Sequence, residues 1–366
     1  MNAVSHQMDR TVASKQRWRP AVWMAIMVFA LGASMVLSLS VGAVHLSFGD
    51  VVATLWERMT GLGNSSSILT GTDAAVLFEI RLPRVVLGLL VGSALSLAGA
   101  SYQGVFRNPL ADPYLLGAAA GAGLGATLIL SRAVAVSGWQ LNALPVAAFV
   151  GAIGAVLLSV AMASVVGSEI SDGSVTSSSA VLLLAGVAIA SFLTALQTFV
   201  QQQRAESLRV VYAWILGGLT TSGWTEVRLV APYLAVAALI LLVLARKLDV
   251  MAVGDDEARS LGVSPTRVRI VVVIAASLAT AAAVSVSGLI GFVGLVVPHA
   301  VRSLVGHGHR FVLAGSILLG GAFVVLADSV ARTVVAPAEL PLGVLTAFIG
   351  APAFALLLVR QHRSRS

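Results

Sequence analysis

The stretch VRIVVVIAASLATAAAVSVS (268–287) holds one charged residue, Arg269, in twenty positions. An α-helix rises about 1.5 Å per residue, so twenty residues reach across a hydrocarbon core of roughly 30 Å. Working outward, the same reading repeats over 21–44, 85–106, 114–130, 141–165, 180–200, 229–245, 288–304, 311–327 and 342–359. These segments predict an all-α polytopic membrane protein with about ten transmembrane helices, organised as one domain over 1–366. Composition agrees: 58% of the 366 residues are hydrophobic and 11% charged, against roughly 25% charged in ordinary soluble domains. No cysteine is present, which excludes disulfides and thiolate metal sites. The net charge of +7 is spread as single arginines and pairs between apolar spans, with no basic stripe interleaved with aromatics, so nucleic acid is not predicted as a partner.

The charge serves topology instead. Arg10, Lys15, Arg17 and Arg19 precede the first span, whose apolar run exceeds the roughly 7 to 15 residues of a signal-peptide core, so it is expected to be a retained helix behind a cytoplasmic tail, 1–20. Ten crossings from that start leave Arg58, Arg81, Arg84, Arg132, Arg204, Arg209, Arg228 and Arg332 outside. The other 15 of the 23 lysines and arginines lie inside, as the positive-inside rule requires. Both termini are then expected to be cytoplasmic, in a multi-pass protein of the cytoplasmic membrane. Within the spans, Gly88 with Gly92 and Gly117 with Gly121 and Gly125 recur at four-residue spacing, the pattern that lets helices pack closely in lipid.

Chemistry-bearing motifs are scarce. There is no His-Glu-x-x-His, no Gly-x-Ser-x-Gly, and neither Lys15 nor Lys247 sits in a phosphate-binding Gly-x-x-x-x-Gly-Lys loop. No catalytic residue, no metal site and no ATP hydrolysis by this chain is expected. His299 follows Pro298 and suits a hydrogen bond near a helix end. His307 and His309 form a two-histidine loop without evident acid partners, and Asp328 stands four residues before Arg332, the spacing of a helix-surface ion pair. Spans this poor in acids and histidines argue against a proton- or sodium-coupled carrier, which places such groups in its membrane helices; a stand-alone carrier or channel remains the alternative class.

Immediately before 268–287 stands GDDEARSLGV (254–263), among the most polar runs in the chain. Asp255 suits an N-cap, Asp256 and Glu257 put negative charge on the first turn, and Gly262 suits a left-handed helix end. Pro265 then opens the next helix at its first position. A helix of two turns is marginal in water, and one presenting Ala258 and Leu261 on one side gains by docking. It reads either as a capped connector on the membrane surface or as a contact for a cytoplasmic partner.

Several segments together resemble the permease subunits of the ABC importers for iron-siderophores, haem and vitamin B12. They are IRLPRVVLGLLVGSALSLAGASYQGVFRNPLADPYLLG (80–117), LLLAGVAIA (182–190), GDDEARSLGV (254–263), SGLIGFVGLVVPHAVR (287–302), LADSVAR (326–332) and ELPLGVLTAFIGAPAFALLL (339–358). The resemblance implies a ten-helix permease of the type II ABC importer fold, working as a homodimer with two ATP-binding subunits and a periplasmic or lipid-anchored substrate-binding protein. ATP and Mg would be held by the ATPase, and no cofactor by this chain. On that reading 254–263 is the coupling helix, through Asp255, Asp256, Glu257, Ala258, Arg259, Leu261 and Gly262. Arg81, Arg84 and Arg332 would dock acidic residues of the binding protein, as suits the arginine fork, although snorkelling toward the membrane surface is another use for them. Ser177, Ser178 and Ser179, in the polar run 166–179 that otherwise reads as a solvated loop, would narrow the cytoplasmic exit. Iron-siderophore is the first substrate class implied, then vitamin B12 and haem.

Overall fold

The computed structural model describes residues 2–42, 46–60, 69, 71–131, 138–169, 175–220 and 223–363, without the side chains of 2–19, 138–142, 167–169, 175–179 and a few single positions. The helices in chain order are α1 (Asn2–Ser40), α2 (Phe48–Thr60), α3 (Gly71–Ala75), which runs into a π-helical turn at Val76–Arg81, and α4 (Leu82–Val105). Then come α5 (Ala118–Leu130), α6 (Gly138–Glu169), α7 (Val175–Gln202), α8 (Leu208–Ile215), α9 (Thr225–Val253), α10 (Asp255–Ser260), α11 (Pro265–Ser287), α12 (Val293–Val305), α13 (His309–Thr333) and α14 (Leu342–Arg363). No strand occurs among the described residues. Each of the ten apolar spans read from the sequence overlaps a helix. Among the described residues, six helical segments are long and apolar enough to cross a membrane, namely Pro20–Ser40, Ala143–Val166, Ala180–Gln202, Thr225–Val253, Pro265–Ser287 and His309–Thr333.

Helix α4 is the axis of the bundle. It packs against α9, α11, α12 and α13, and every residue from Val91 to Val105 is buried. The small residues explain how neighbours come so close. A Cβ on Gly92 would lie 2.1 Å from the carbonyl oxygen of Gly320 in α13, and one on Gly99 1.9 Å from that of Gly294 in α12. Gly121 and Gly125 let α5 approach the backbone of α6 in the same way. The peripheral helices instead turn large apolar residues outward, among them Phe29, Leu184, Leu239 and Val243, as suits a lipid-facing surface.

Two spans are shorter than expected. Helix α5 begins at Ala118 rather than near 114, and α12 at Val293 rather than 288, so each has only 13 residues. The preceding segments leave helical geometry: Gly117, Gly288 and Phe292 all have positive φ. Side chains inside the protein supply hydrogen bonds to these segments, as membrane depth demands. Tyr114 donates its hydroxyl to the Ile290 carbonyl at 3.0 Å and accepts from the Ile290 N–H at 3.2 Å, and the Gln103 amide donates to the carbonyls of Ala111 and Gly294. The polar run 166–179 also differs from the loop expected of it. Helix α6 continues to Glu169 and α7 starts at Val175, so Ser177, Ser178 and Ser179 belong to the first turns of α7; their side chains lie outside the described residues.

Candidate functional site

Polar groups gather at the two ends of α4, which its 24 residues separate by roughly 36 Å at 1.5 Å per residue. At the C-terminal end, α9 leads through Gly254 into α10. The helix closes by a paired cap: Val263 N–H bonds to the Ala258 carbonyl and Gly262 N–H to that of Arg259, with Gly262 at φ 76°. This is the glycine-dependent helix ending the sequence indicates. Pro265 likewise occupies the first turn of α11.

The side chains of α10 are arranged differently from the sequence expectation. Gly254, not Asp255, holds the N-cap position, and no side chain caps the helix. Asp255 is buried, its carboxylate lying between the guanidiniums of Arg269 in α11, at 3.1 Å, and Arg107 just past the end of α4. Arg107 is placed by its own backbone: at φ 50° it takes the left-handed position of a paired cap in which Arg107 N–H bonds to Gly104 and Asn108 N–H to Gln103. Nor do Ala258 and Leu261 share a face. Ala258 is fully buried beneath α10, whereas Leu261 stands outside the last helical turn and is 68% exposed. What α10 offers outward is Asp256, 89% exposed and paired among the described residues with its helix neighbour Arg259, together with Glu257 and Leu261. Such an exposed pair contributes little to stability, so its charges are available to a partner.

Beside α10 the ends of α4, α9, α12 and α13 enclose a cleft lined by Gln103, Arg107, His299, Arg302, His307 and His309. His309 does not lie in a loop: it is the first residue of α13, buried, with Nδ1 2.7 Å and its backbone N–H 2.8 Å from Asp249 Oδ1 on α9. No group of three or more histidine, aspartate or glutamate side chains that could hold a metal occurs among the described residues.

At the N-terminal end of α4, Arg84 makes forked hydrogen bonds to two acids. Its nitrogens lie 2.9 and 3.1 Å from Asp328 and 2.8 and 2.9 Å from Glu339. Arg332 Nε lies 2.9 Å from Asp328 Oδ2, an oxygen that Arg84 Nε also reaches, and its Nη2 donates to the hydroxyl and carbonyl of Ser38. The Asp328–Arg332 pair is therefore not a helix-surface bridge but half of a buried clamp across α1, α4 and α13. Arg81 closes it, donating to the Leu39 carbonyl at 2.6 Å and occupying the space a Cβ on Gly42 would need. All three arginines singled out from the sequence thus meet at one face, opposite to α10.

Glu339, 52% exposed, is the open edge of this clamp. Its hydrogen bonds from Arg84 hold its carboxyl below the ordinary glutamate range, against the opposing effect of partial burial. A lowered folded value means the pair's contribution is complete above the unfolded glutamate pKa and is lost as pH falls through the lowered one. Glu339→Gln should therefore reduce the acid-side loss of thermal stability, measured by unfolding in detergent across a pH series; an unchanged acid limb would show that this pair carries none of it.

Residues 28–360 match the FecCD transport family. The chain belongs to that family. It is 41% identical over 91% of its length to a Bacillus subtilis protein described as the uncharacterized ABC transporter permease YvrB, covering 92% of that protein. It is also 41% identical over 84% of its length to the cobalamin import permease BtuC of Halobacterium salinarum, covering 77% of it. A solved structure described as an inward-facing metal-chelate type ABC transporter superposes with a TM-score of 0.77 at 29% identity, covering 93% of this chain and 99% of that one. This FecCD chain is thus an all-helical, multi-pass permease of an ABC importer family, a transport component whose family implies ATP-binding and substrate-binding partners. The partners of Asp255 and Arg84 were out of reach of sequence reasoning, because Arg84 and Asp328 are 244 positions apart and only the four-residue step from Asp328 to Arg332 is local.

Proposed function

We propose that this chain carries a metal chelate across the cytoplasmic membrane, as the permease half of an importer driven by ATP hydrolysis on another subunit. The observation that carries this reading is α10: a short acidic helix whose outer surface is free and whose inner residue, Asp255, is tied to the end of the central helix α4 through Arg107. A push on α10 would reach α4 without passing through a flexible loop. In this reading the whole chain, 1–366, is one permease domain with a cytoplasmic tail, 1–20, and both termini in the cytoplasm. Two copies would form a homodimer over two ATP-binding subunits, which hold ATP and Mg, and this chain would hold no cofactor. A periplasmic or lipid-anchored binding protein would dock at Arg81, Arg84 and Arg332, and Ser177, Ser178 and Ser179 would line the cytoplasmic exit. Ferric siderophore is the first substrate class, with cobalamin and haem next. A relative from Yersinia pestis, 36% identical over 93% of this chain, is named a hemin transport permease.

The test is ATPase activity in liposomes containing the permease, its ATP-binding subunit and binding protein, titrated with ferric siderophores, cobalamin and haem. Stimulation by one of them supports the importer and names its cargo; failure to assemble the complex would count against the partners proposed here. Docking has its own test. Because Glu339 already occupies one side of the Arg84 fork, an acidic residue of the binding protein must compete with it. Glu339→Gln should then tighten docking by about 3- to 10-fold, most at low salt where exposed charges are least screened. Unchanged affinity at low salt would remove Arg84 from the docking surface.

A further inference from the structure

The cleft beside α10 has a volume of about 560 Å³ and no acidic residue on its wall. Arg302, on the last turn of α12, is partly buried there, and its hydrogen-bond partner among the described residues is the neutral amide oxygen of Gln103. The two carboxylates that pair with residues of the cleft are already committed, Asp249 to His309 and Asp255 to Arg107 and Arg269. A guanidinium withdrawn from water without a counter-charge is costly, and its planar fork suits a carboxylate. The three histidines on the same wall do not form a metal site, and Arg302 among them would repel a cation.

The position of the cleft identifies the source of the missing anion. Its walls come from the ends of α4, α9, α12 and α13, and α4 is the helix the others surround, a placement that favours a protein occupant over a lipid headgroup. It also shares Arg107 with α10. We infer that the cleft receives an acidic side chain of the ATP-binding subunit, paired with Arg302, as a second attachment beside the coupling helix. This rests on the importer reading above. It adds a fixed point next to a moving one: α10 would take the thrust while Arg302 holds the ATPase in register under α4.

The experiment measures affinity of the intact permease for its ATP-binding subunit in detergent, for wild type, Arg302→Lys, Arg302→Gln and Arg302→Glu. Wild type must bind; if it does not, the importer reading itself fails, independently of the cleft. Given binding, Arg302→Gln and Arg302→Glu should weaken it on the order of 10- to 100-fold. Arg302→Lys, which keeps the charge but not the fork, should fall between wild type and Arg302→Gln, with all four proteins eluting as one folded species. A single acidic-to-lysine change on the ATPase should restore binding to Arg302→Glu. Unchanged affinity of a folded Arg302→Glu overturns the inference. So does loss of a bound anionic phospholipid from Arg302→Gln, read by native mass spectrometry, with ATPase affinity intact, because the occupant would then be lipid.

Discussion

Asp255→Ala should lower the stability of the permease by about 3 to 5 kcal/mol, because it strands the buried guanidinium of Arg269 and releases Arg107. The substitution looks mild in sequence, one acid among three at the start of a short helix. In the structure the three acids differ: Asp255 faces inward, Asp256 and Glu257 outward. The measurement is unfolding in detergent or mixed micelles, with Asp256→Ala as the companion variant. Asp256→Ala should unfold like wild type, since its partner Arg259 remains exposed and hydrated. Equal stability of Asp255→Ala and wild type would mean that the pairs to Arg107 and Arg269 contribute nothing, and the mechanical link from α10 to α4 would lose its basis.

The second large effect concerns packing. Gly92→Ala places a methyl carbon 2.1 Å from the Gly320 carbonyl oxygen, so α4 and α13 must separate. Overpacking of this kind costs about 1 to 3 kcal/mol, and here the obstacle is backbone rather than a side chain that could swing away. Gly88, one turn earlier, provides the control. A Cβ there meets the tip of the Leu219 side chain at 2.9 Å, which a rotamer change relieves. Gly88→Ala should therefore cost well under half as much as Gly92→Ala in the same unfolding assay. Equal costs would show that α13 adapts to α4 freely and that the axis is softer than its contacts imply.

The contrast between Gly88 and Gly92 also marks what was legible in the sequence. Four-residue spacing says that both face a neighbouring helix, and both do. It does not say which neighbour presents backbone and which presents a side chain, since that depends on Leu219 and Gly320, both more than a hundred positions away. The spans themselves were legible because hydropathy over about twenty residues measures transfer into hydrocarbon directly. Their starts were not, at 114 and 288, because an apolar segment that leaves helical geometry inside the protein is as hydrophobic as one that keeps it. In α10 the glycine cap and the proline start were local signals and were read correctly. The directions of Asp255 and Ala258 depend on Arg107, Arg269 and the surrounding helices, and no spacing within 254–263 contains them. The arginines at the opposite face were found by resemblance and by charge counting, yet Asp328 and Glu339, which hold Arg84 in place, became visible only once distant segments met.

If α10 is the handle by which an ATP-driven subunit moves this permease, ATP-driven uptake must depend on Asp256 and Glu257, and the Asp256→Ala, Glu257→Ala double variant is the variant to measure. Both side chains are exposed on α10, Asp256 beside Arg259 and Glu257 folded back over Gly254, so the protein should fold and insert as wild type does. In liposomes with the ATP-binding subunit and the substrate-loaded binding protein, uptake should fall at least about tenfold, the effect of losing one or two charge-assisted contacts. Uptake at the wild-type rate from the folded double variant would contradict the account.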